Sequence, residues 1–205
     1  MRIALQIGLL VIIVVLCYLL VESIMDPIRF QKAKQLRDKV VIERLKDIRA
    51  AQRAYKSVND KYADNFDTLI DFIKNNKFAV IKKIGDVSDS LTEEEGLKRK
   101  LIRRDTTYIS MIDSLFPAPK SVDSLRFIPF SGGGQFELAA KILEPQPSVK
   151  VPVFEAKAPY KLVLIGLDPQ QIINLIAEQK RIERYEGLKV GSIEEATNDA
   201  GNWEK

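Results

Sequence analysis

Histidine is absent from the 205 residues of this chain, and cysteine occurs once, at position 17. Without histidine the chain cannot form a Ser/His/Asp triad, a Cys/His dyad or a zinc site with an imidazole ligand. The single Cys17 excludes an intrachain disulfide, so the redox state of the compartment cannot be inferred from the sequence. We therefore predict a protein that is not an enzyme, with no catalytic residue, no metal site and no cofactor.

The chain also lacks a large excess of charge of either sign. Its 32 Lys and Arg residues stand against 28 Asp and Glu, which gives a formal net charge of +4. Proteins that bind nucleic acid concentrate basic residues on one face, whereas these charges are spread along the sequence. We expect no nucleic-acid partner. Segment 91–104 carries both signs close together, and we expect it to be a solvated helix or loop without chemistry.

Two patterns that could indicate ligand sites have simpler structural explanations. Asp60, Asp64 and Asp67 lack the glycine and the terminal glutamate of a calcium-binding EF-hand loop, and turns and helix caps account for them. Residues 131–134, Ser-Gly-Gly-Gly, are not followed by the Gly-Lys-Ser/Thr of a phosphate-binding loop. A hairpin turn with positive φ angles explains these glycines.

What the sequence does contain is a long apolar run near its N-terminus. Residues 3–21, IALQIGLLVIIVVLCYLLV, carry no charged side chain. A helix of about 20 apolar residues matches the hydrocarbon core of a bilayer, about 30 Å thick. The run is longer than the core of a secretory signal and no small-residue cleavage site follows, so we predict an uncleaved anchor at residues 1–22. The residues expected to face lipid are Ile3, Leu9, Leu10, Ile13, Leu16 and Leu20.

An amphipathic helical stalk is predicted at residues 23–58. Asp26-Pro27 is typical of a helix start, so we expect the helix to kink or restart there. Beyond it, apolar residues recur at intervals of three and four, which places them on one face of a helix. This face can cover the chain's own core or pack in part against another molecule. The predicted packing residues are Val41, Leu45, Ile48, Ala51, Tyr55 and Val58.

A globular domain is predicted at residues 59–187. A turn at 59–61 leads to a short helix capped by Asp64 or Asn65, and Asp168-Pro169 begins a C-terminal helix that ends before Gly187. Alternating and β-branched residues predict strands between them, starting at Phe78, Thr106, Leu125, Gln135, Val149 and Tyr160.

The predicted fold class is α+β. A long N-terminal membrane and stalk helix packs on a mainly antiparallel sheet, and a C-terminal helix follows. Residues 188–205 form a polar tail that we expect to be partly irregular, with Trp203 as its large apolar residue.

Residues 48–73, IRAAQRAYKSVNDKYADNFDTLIDFI, resemble the end of the long helix and the following turn of type IV pilins and pseudopilins. The similarity covers 26 of the 205 residues and rests on the Ala-rich helix end with Tyr55, Asn59, Tyr62 and Leu69. It implies a structural subunit in the inner membrane with a periplasmic domain. Gly8 lies inside the apolar run and no glutamate is near its start, so we expect no cleavage by a prepilin peptidase.

Three functions remain open on this basis. The first is a pilin-like subunit of a secretion or filament assembly, and the second is a bitopic scaffold that aligns other proteins of an envelope machine. The third is a membrane-tethered ligand-binding module. The expected partners are the lipid bilayer and other membrane or periplasmic proteins, including further copies of this chain. Basic residues at 29–39 favour a cytoplasmic domain by the positive-inside rule, which is the alternative orientation.

Overall fold

A computed structural model of the chain describes residues 2–84, 103–117, 121–146 and 149–204. Five α-helical segments occur in these residues: α1 (Arg2–Asn59), α2 (Phe66–Asn75), α3 (Met111–Leu115), α4 (Tyr160–Val163) and α5 (Pro169–Arg181). The strands are β1 (Lys77–Ile84), β2 (Arg103–Ser110), β3 (Glu137–Gln146), β4 (Val149–Pro159) and β5 (Gly187–Gly191). This is the predicted α+β class. Most of the charged segment predicted at 91–104, residues 91–102, lies outside the described residues.

α1 is one helix of 58 residues, and it runs without interruption through Pro27. The expected restart at Asp26-Pro27 is therefore wrong. Proline removes the N–H that would bond the carbonyl of Ser23, and this normally breaks a helix. Pro27 is on the exposed part of α1, where solvent or lipid headgroups can bond the freed carbonyl.

The turn and short helix after α1 are as predicted. Asp60 adopts a left-handed φ of 56°, which reverses the chain after Asn59. Asn65 then caps α2, because its side-chain oxygen accepts a 2.7 Å hydrogen bond from the N–H of Thr68. The apolar face of this helix is buried and consists of Phe66, Leu69, Ile70, Phe72 and Ile73.

Two antiparallel sheets are present in the described residues. β1 pairs with β2 as a ribbon, while β3, β4 and β5 form a sheet in that order. Pro152 lies in β4, opposite Ile142 of β3, whereas β4 pairs with β5 only from Glu155 onward. Pro152 therefore sits where β4 has a partner strand on one side, which is the edge position expected for a proline.

Two predicted strands are wrong. The segment from Leu125 is the end of a 3-10 helix, Val122–Arg126, followed by a single bridge between Phe127 and Gln135. Its buried residues Val122, Leu125 and Ile128 are three apart, which fits a helical turn and not a strand.

The segment from Tyr160 is the second. It forms the helical turn α4, in which Tyr160, Val163 and Leu164 are buried at the i, i+3 and i+4 spacing of a helix face. The predicted strand at Thr106 ends earlier than expected, at Ser110, and α3 follows it.

The hydrophobic core lies between the C-terminal half of α1 and the rest of the domain. α1 contacts α2, β4, β5 and the 3-10 helix. Each of these elements contributes large side chains that are fully buried, and so do the short helical segments and the residue after α4. They include Phe154, Leu45, Ile48, Leu69, Ile73, Met111, Leu125, Leu164 and Val190. Asp168 caps α5 by accepting from the N–H groups of Gln170 and Gln171, as predicted for the C-terminal helix.

Candidate membrane anchor and helix docking site

In the N-terminal part of α1, the side chains that the structure describes between Ile3 and Val21 are exposed and, apart from Gln6, apolar. Each predicted lipid-facing residue keeps between 52% and 73% of its surface exposed: Ile3, Leu9, Leu10, Ile13, Leu16 and Leu20. The most apolar 18-residue window of α1 has no buried residue. Soluble monomers rarely expose an apolar surface of this size. α1 is long and apolar enough to cross a membrane, and there it would contact lipid.

A small group of charges follows the apolar run. The guanidinium of Arg29 lies 2.7 Å from the carboxylate of Glu22 and 3.4 Å from that of Asp26. All three side chains are exposed, so these ion pairs contribute little to stability. They lie within about two turns beyond the apolar run, where a helix that crosses a membrane would meet the aqueous boundary.

The C-terminal part of α1 docks on the domain through the predicted apolar stripe. Val41, Leu45, Ile48 and Ala51 are completely buried, and Tyr55 is buried against the ring of Phe72 at a centroid distance of 4.8 Å. Full burial of each larger side chain is worth about 1.5 to 3 kcal/mol.

Val58, the last member of the predicted stripe, is 56% exposed and lies outside this docking face. Phe30 extends the face toward the membrane and is only 6% exposed. The docking face therefore runs from Phe30 to Tyr55 and is occupied by the chain's own domain.

Gln52 is a buried polar residue in the middle of this apolar face. Its side-chain amide donates to the carbonyl of Ala63 at 2.8 Å, and its oxygen accepts from the N–H of Ala63 at 2.9 Å. The two bonds fix the chain just before α2 against α1. Its spacing from Leu45, Ile48 and Tyr55 places Gln52 on the same helix face, but this periodicity does not identify Ala63 as its partner.

Arginines on α1 bind backbone carbonyls of the domain. Arg37 donates to the carbonyls of Val163 at 3.1 Å and Ile165 at 2.8 Å. Arg44 donates to the carbonyl of Ser124 and, at 2.7 Å, to its hydroxyl. These contacts hold α4 and the 3-10 helix to α1 at defined positions along its axis.

The C-terminal tail is tied to α1 by a cluster of charged groups that the sequence did not indicate. Asp199 accepts hydrogen bonds from the Tyr62 hydroxyl at 2.9 Å and from Arg53 Nε at 3.0 Å. Arg49 donates to both carboxylate oxygens of Glu204, at 2.9 and 3.0 Å. The acidic residues of the tail have no regular spacing, so only the folded chain shows that they converge on one stretch of α1.

The pKa values of two groups in this cluster follow from their surroundings. Burial, and then the negative charge of Asp199, raise the pKa of the Tyr62 hydroxyl. The backbone N–H of Gly201, and then Arg49, lower the pKa of the Glu204 carboxyl. The neutral Tyr62 hydroxyl and the ionised Glu204 carboxylate are therefore the forms that hold the tail.

A second polar group lies nearer the membrane, between α1 and α4. Lys34 is 2.6 Å from Asp38, and its ammonium lies 4.7 Å from the ring centroid of Tyr160. Burial raises the pKa of the Asp38 carboxyl, against the opposing effect of Lys34. Burial also lowers the pKa of Lys34, but the contacts with Asp38 and Tyr160 outweigh it and the net shift is upward. The group joins α4 to α1.

The described residues contain no group of three or more cysteine, aspartate or glutamate side chains that could hold a metal ion. An open groove of about 390 Å³ in the described residues is lined by polar and apolar side chains, among them Lys61, Asp64 and Lys141. A scan against protein-family models, a search of curated proteins and a search of solved structures gave no match to the chain.

Proposed function

We propose that this chain is a non-enzymatic, single-pass structural subunit of a pilin-like or secretion-type assembly of the cell envelope. The observation that carries the proposal is the division of α1 into two parts with opposite environments. Its first part is exposed and apolar, while residues 30–55 are built into the core of a small α+β domain. A rigid connection of this kind transmits force or position between a membrane and a domain.

The proposed location is the inner membrane, with the domain in the periplasm. The support is the resemblance of residues 48–73 to the helix end and turn of pilins, whose domains are exported. In the folded chain this segment forms the turn where α1 meets α2, and Gln52 and Ala63 are bonded to each other there.

A bitopic scaffold is the second candidate. It is favoured by the absence of any acidic residue within the apolar run at 3–21, because pilin subunits carry a glutamate near the start of that helix. A scaffold would bind other membrane proteins in a complex of fixed composition and would not form filaments.

An exposed apolar pair on the docked half of α1 is available for assembly contacts. Leu36 is 66% exposed and Val40 is 44% exposed, one helical turn apart. In a subunit that binds its neighbours through α1, this pair would be covered by a partner chain.

The experiment is extraction of the native protein in mild detergent, followed by particle imaging and identification of co-purifying proteins. We expect filaments, or a discrete particle that contains other membrane proteins. The double variant Leu36→Lys/Val40→Lys should reduce the particle to single chains, because it places two charges in the contact. Val58→Lys, an equally exposed site beyond the docking face, is the control. Recovery of the unsubstituted protein as single chains under all conditions would contradict the proposal.

A further inference from the structure

The continuous apolar surface at the N-terminal end of α1 reaches almost to the point where the domain begins. Ile24 and Ile28, beyond the uncharged run, are still 55% and 41% exposed. Phe30 is already buried, and it lines a cavity of about 370 Å³ with Gly166 and Leu167. A single residue, Arg29, separates the exposed Ile28 from Phe30, the first apolar side chain of α1 that the domain covers. No free stalk lies between the apolar segment and the domain.

The distances along α1 place this edge of the domain at the membrane surface. Asp26 lines the same cavity as Gly166 and Asp168, and at about 1.5 Å per residue it lies about 8 Å beyond Val21. The headgroup layer on each side of a bilayer is about 5 to 8 Å thick. Since Ile24 and Ile28 extend the apolar surface toward the domain, residues 165–168 come within reach of that layer.

The loop at this edge carries exposed apolar side chains that are held firmly. Ile165 is 44% exposed and Phe130, in the neighbouring glycine-rich turn, is 51% exposed. The Arg37 guanidinium bonds the carbonyls of Val163 and Ile165 and lies 5.3 Å from the Phe130 ring centroid. The loop with Ile165 and the turn with Phe130 are therefore fixed relative to α1, and neither can move away from the membrane independently.

The charges around the loop also suit a headgroup layer. They are of both signs, like those of zwitterionic lipid headgroups. Arg29, which pairs with Glu22 and Asp26, is exposed and lines the cavity below the loop together with Asp26 and Asp168. Lys32 is exposed on the following turn of α1. Long basic side chains at this level can reach lipid phosphates while aliphatic and aromatic residues occupy the interfacial layer.

We propose that the loop at residues 165–168, flanked by Phe130, rests on the headgroups of the same bilayer that holds α1. The domain is seated on the membrane and not held away from it on a stalk. This inference rests on the anchoring part of the proposed function and is independent of any assembly with other proteins.

The test uses the full chain, reconstituted at low density in phosphatidylcholine vesicles that contain a fraction of lipid with a nitroxide on its headgroup. Tryptophan emission is quenched when the indole contacts that headgroup. The variant Ile165→Trp places a probe in the loop, and Val58→Trp is the control, because Val58 is exposed on α1 about 55 Å beyond Val21. Native Trp203 remains in both proteins as an equal background.

We expect the added tryptophan of Ile165→Trp to lose at least twice as much emission as that of Val58→Trp. Phe130→Trp, a conservative aromatic change, is a second probe that should also exceed the control. Thermal unfolding and near-UV circular dichroism establish that each variant is folded. Equal quenching at all three positions in folded protein would overturn the seated domain. Because single chains are measured, that result would leave the assembly proposal unaffected.

Discussion

At the scale of single residues, Gln52 holds the buried join between α1 and the start of α2. In Gln52→Leu, the buried N–H and carbonyl of Ala63 lose both partners, and each unpaired group costs about 1 to 3 kcal/mol. We expect the free energy of unfolding to fall by about 2 to 5 kcal/mol. Urea unfolding of the full chain in detergent micelles, followed by Trp203 fluorescence, measures this change.

The matched control is Gln35→Leu, at an exposed position of the same helix. Surface changes of this type usually alter stability by less than about 0.5 kcal/mol. Equal effects of the two substitutions would show that the two bonds to Ala63 do not stabilise the join.

The stability that the attached C-terminal tail contributes depends on pH through Tyr62. Its pKa is raised in the folded chain, so the neutral hydroxyl contributes stability fully below the ordinary value of 10. This contribution is lost as the pH rises through the higher folded-state pKa. Tyr62→Phe should cost about 1.5 to 3 kcal/mol at neutral pH and reduce the loss of stability at alkaline pH.

Tyr55→Phe is the control for this substitution, since Tyr55 is also a buried tyrosine and packs by its ring against Phe72. Unfolding curves between pH 7 and 11 compare the variants. If Tyr62→Phe lost as much free energy of unfolding at alkaline pH as the unsubstituted chain, other groups would be responsible for that loss.

At the scale of elements, α1 is one continuous helix whose two parts have different environments, one exposed and one packed on the domain. Leu45→Asp would place a carboxylate without a partner in the completely buried docking face. We expect this variant to lose cooperative unfolding of the domain while the apolar segment still associates with membranes. Val58→Asp adds the same charge at the exposed end of the helix and should unfold like the unsubstituted chain. Identical melting curves for the two variants would contradict the docking arrangement.

At the scale of the whole molecule, the proposed single-pass arrangement places the whole domain on one side of the membrane. We propose a periplasmic domain, so Val58→Cys in a Cys17→Ser background should react with a membrane-impermeant maleimide in intact spheroplasts. Val58 is 56% exposed and far from the apolar segment, which makes it accessible on either side. Labelling only after lysis would establish the cytoplasmic orientation that the basic residues at 29–39 favour.

Features that depend on local periodicity and local hydrogen bonding are encoded in short stretches of the sequence. The apolar run at 3–21, the stripe from Val41 to Tyr55, and the caps at Asn65 and Asp168 could be predicted, because each is specified within a few turns of chain. The strand predictions at Leu125 and Tyr160 are wrong, because the buried residues there are three or four positions apart. This is the spacing of a helix face and not the alternation of side chains in a strand.

Contacts between residues that are distant in the sequence are defined by the tertiary structure alone. Gln52 is buried because Ala63 returns to it after the turn, and Asp199 reaches Arg53 from a position 146 residues later in the chain. The tertiary structure also places residues 165–168 beside Phe30, at the edge of the domain nearest the apolar segment. Such contacts depend on how whole elements dock, and the free energy of docking comes from burial of many side chains at once, so no local pattern encodes them.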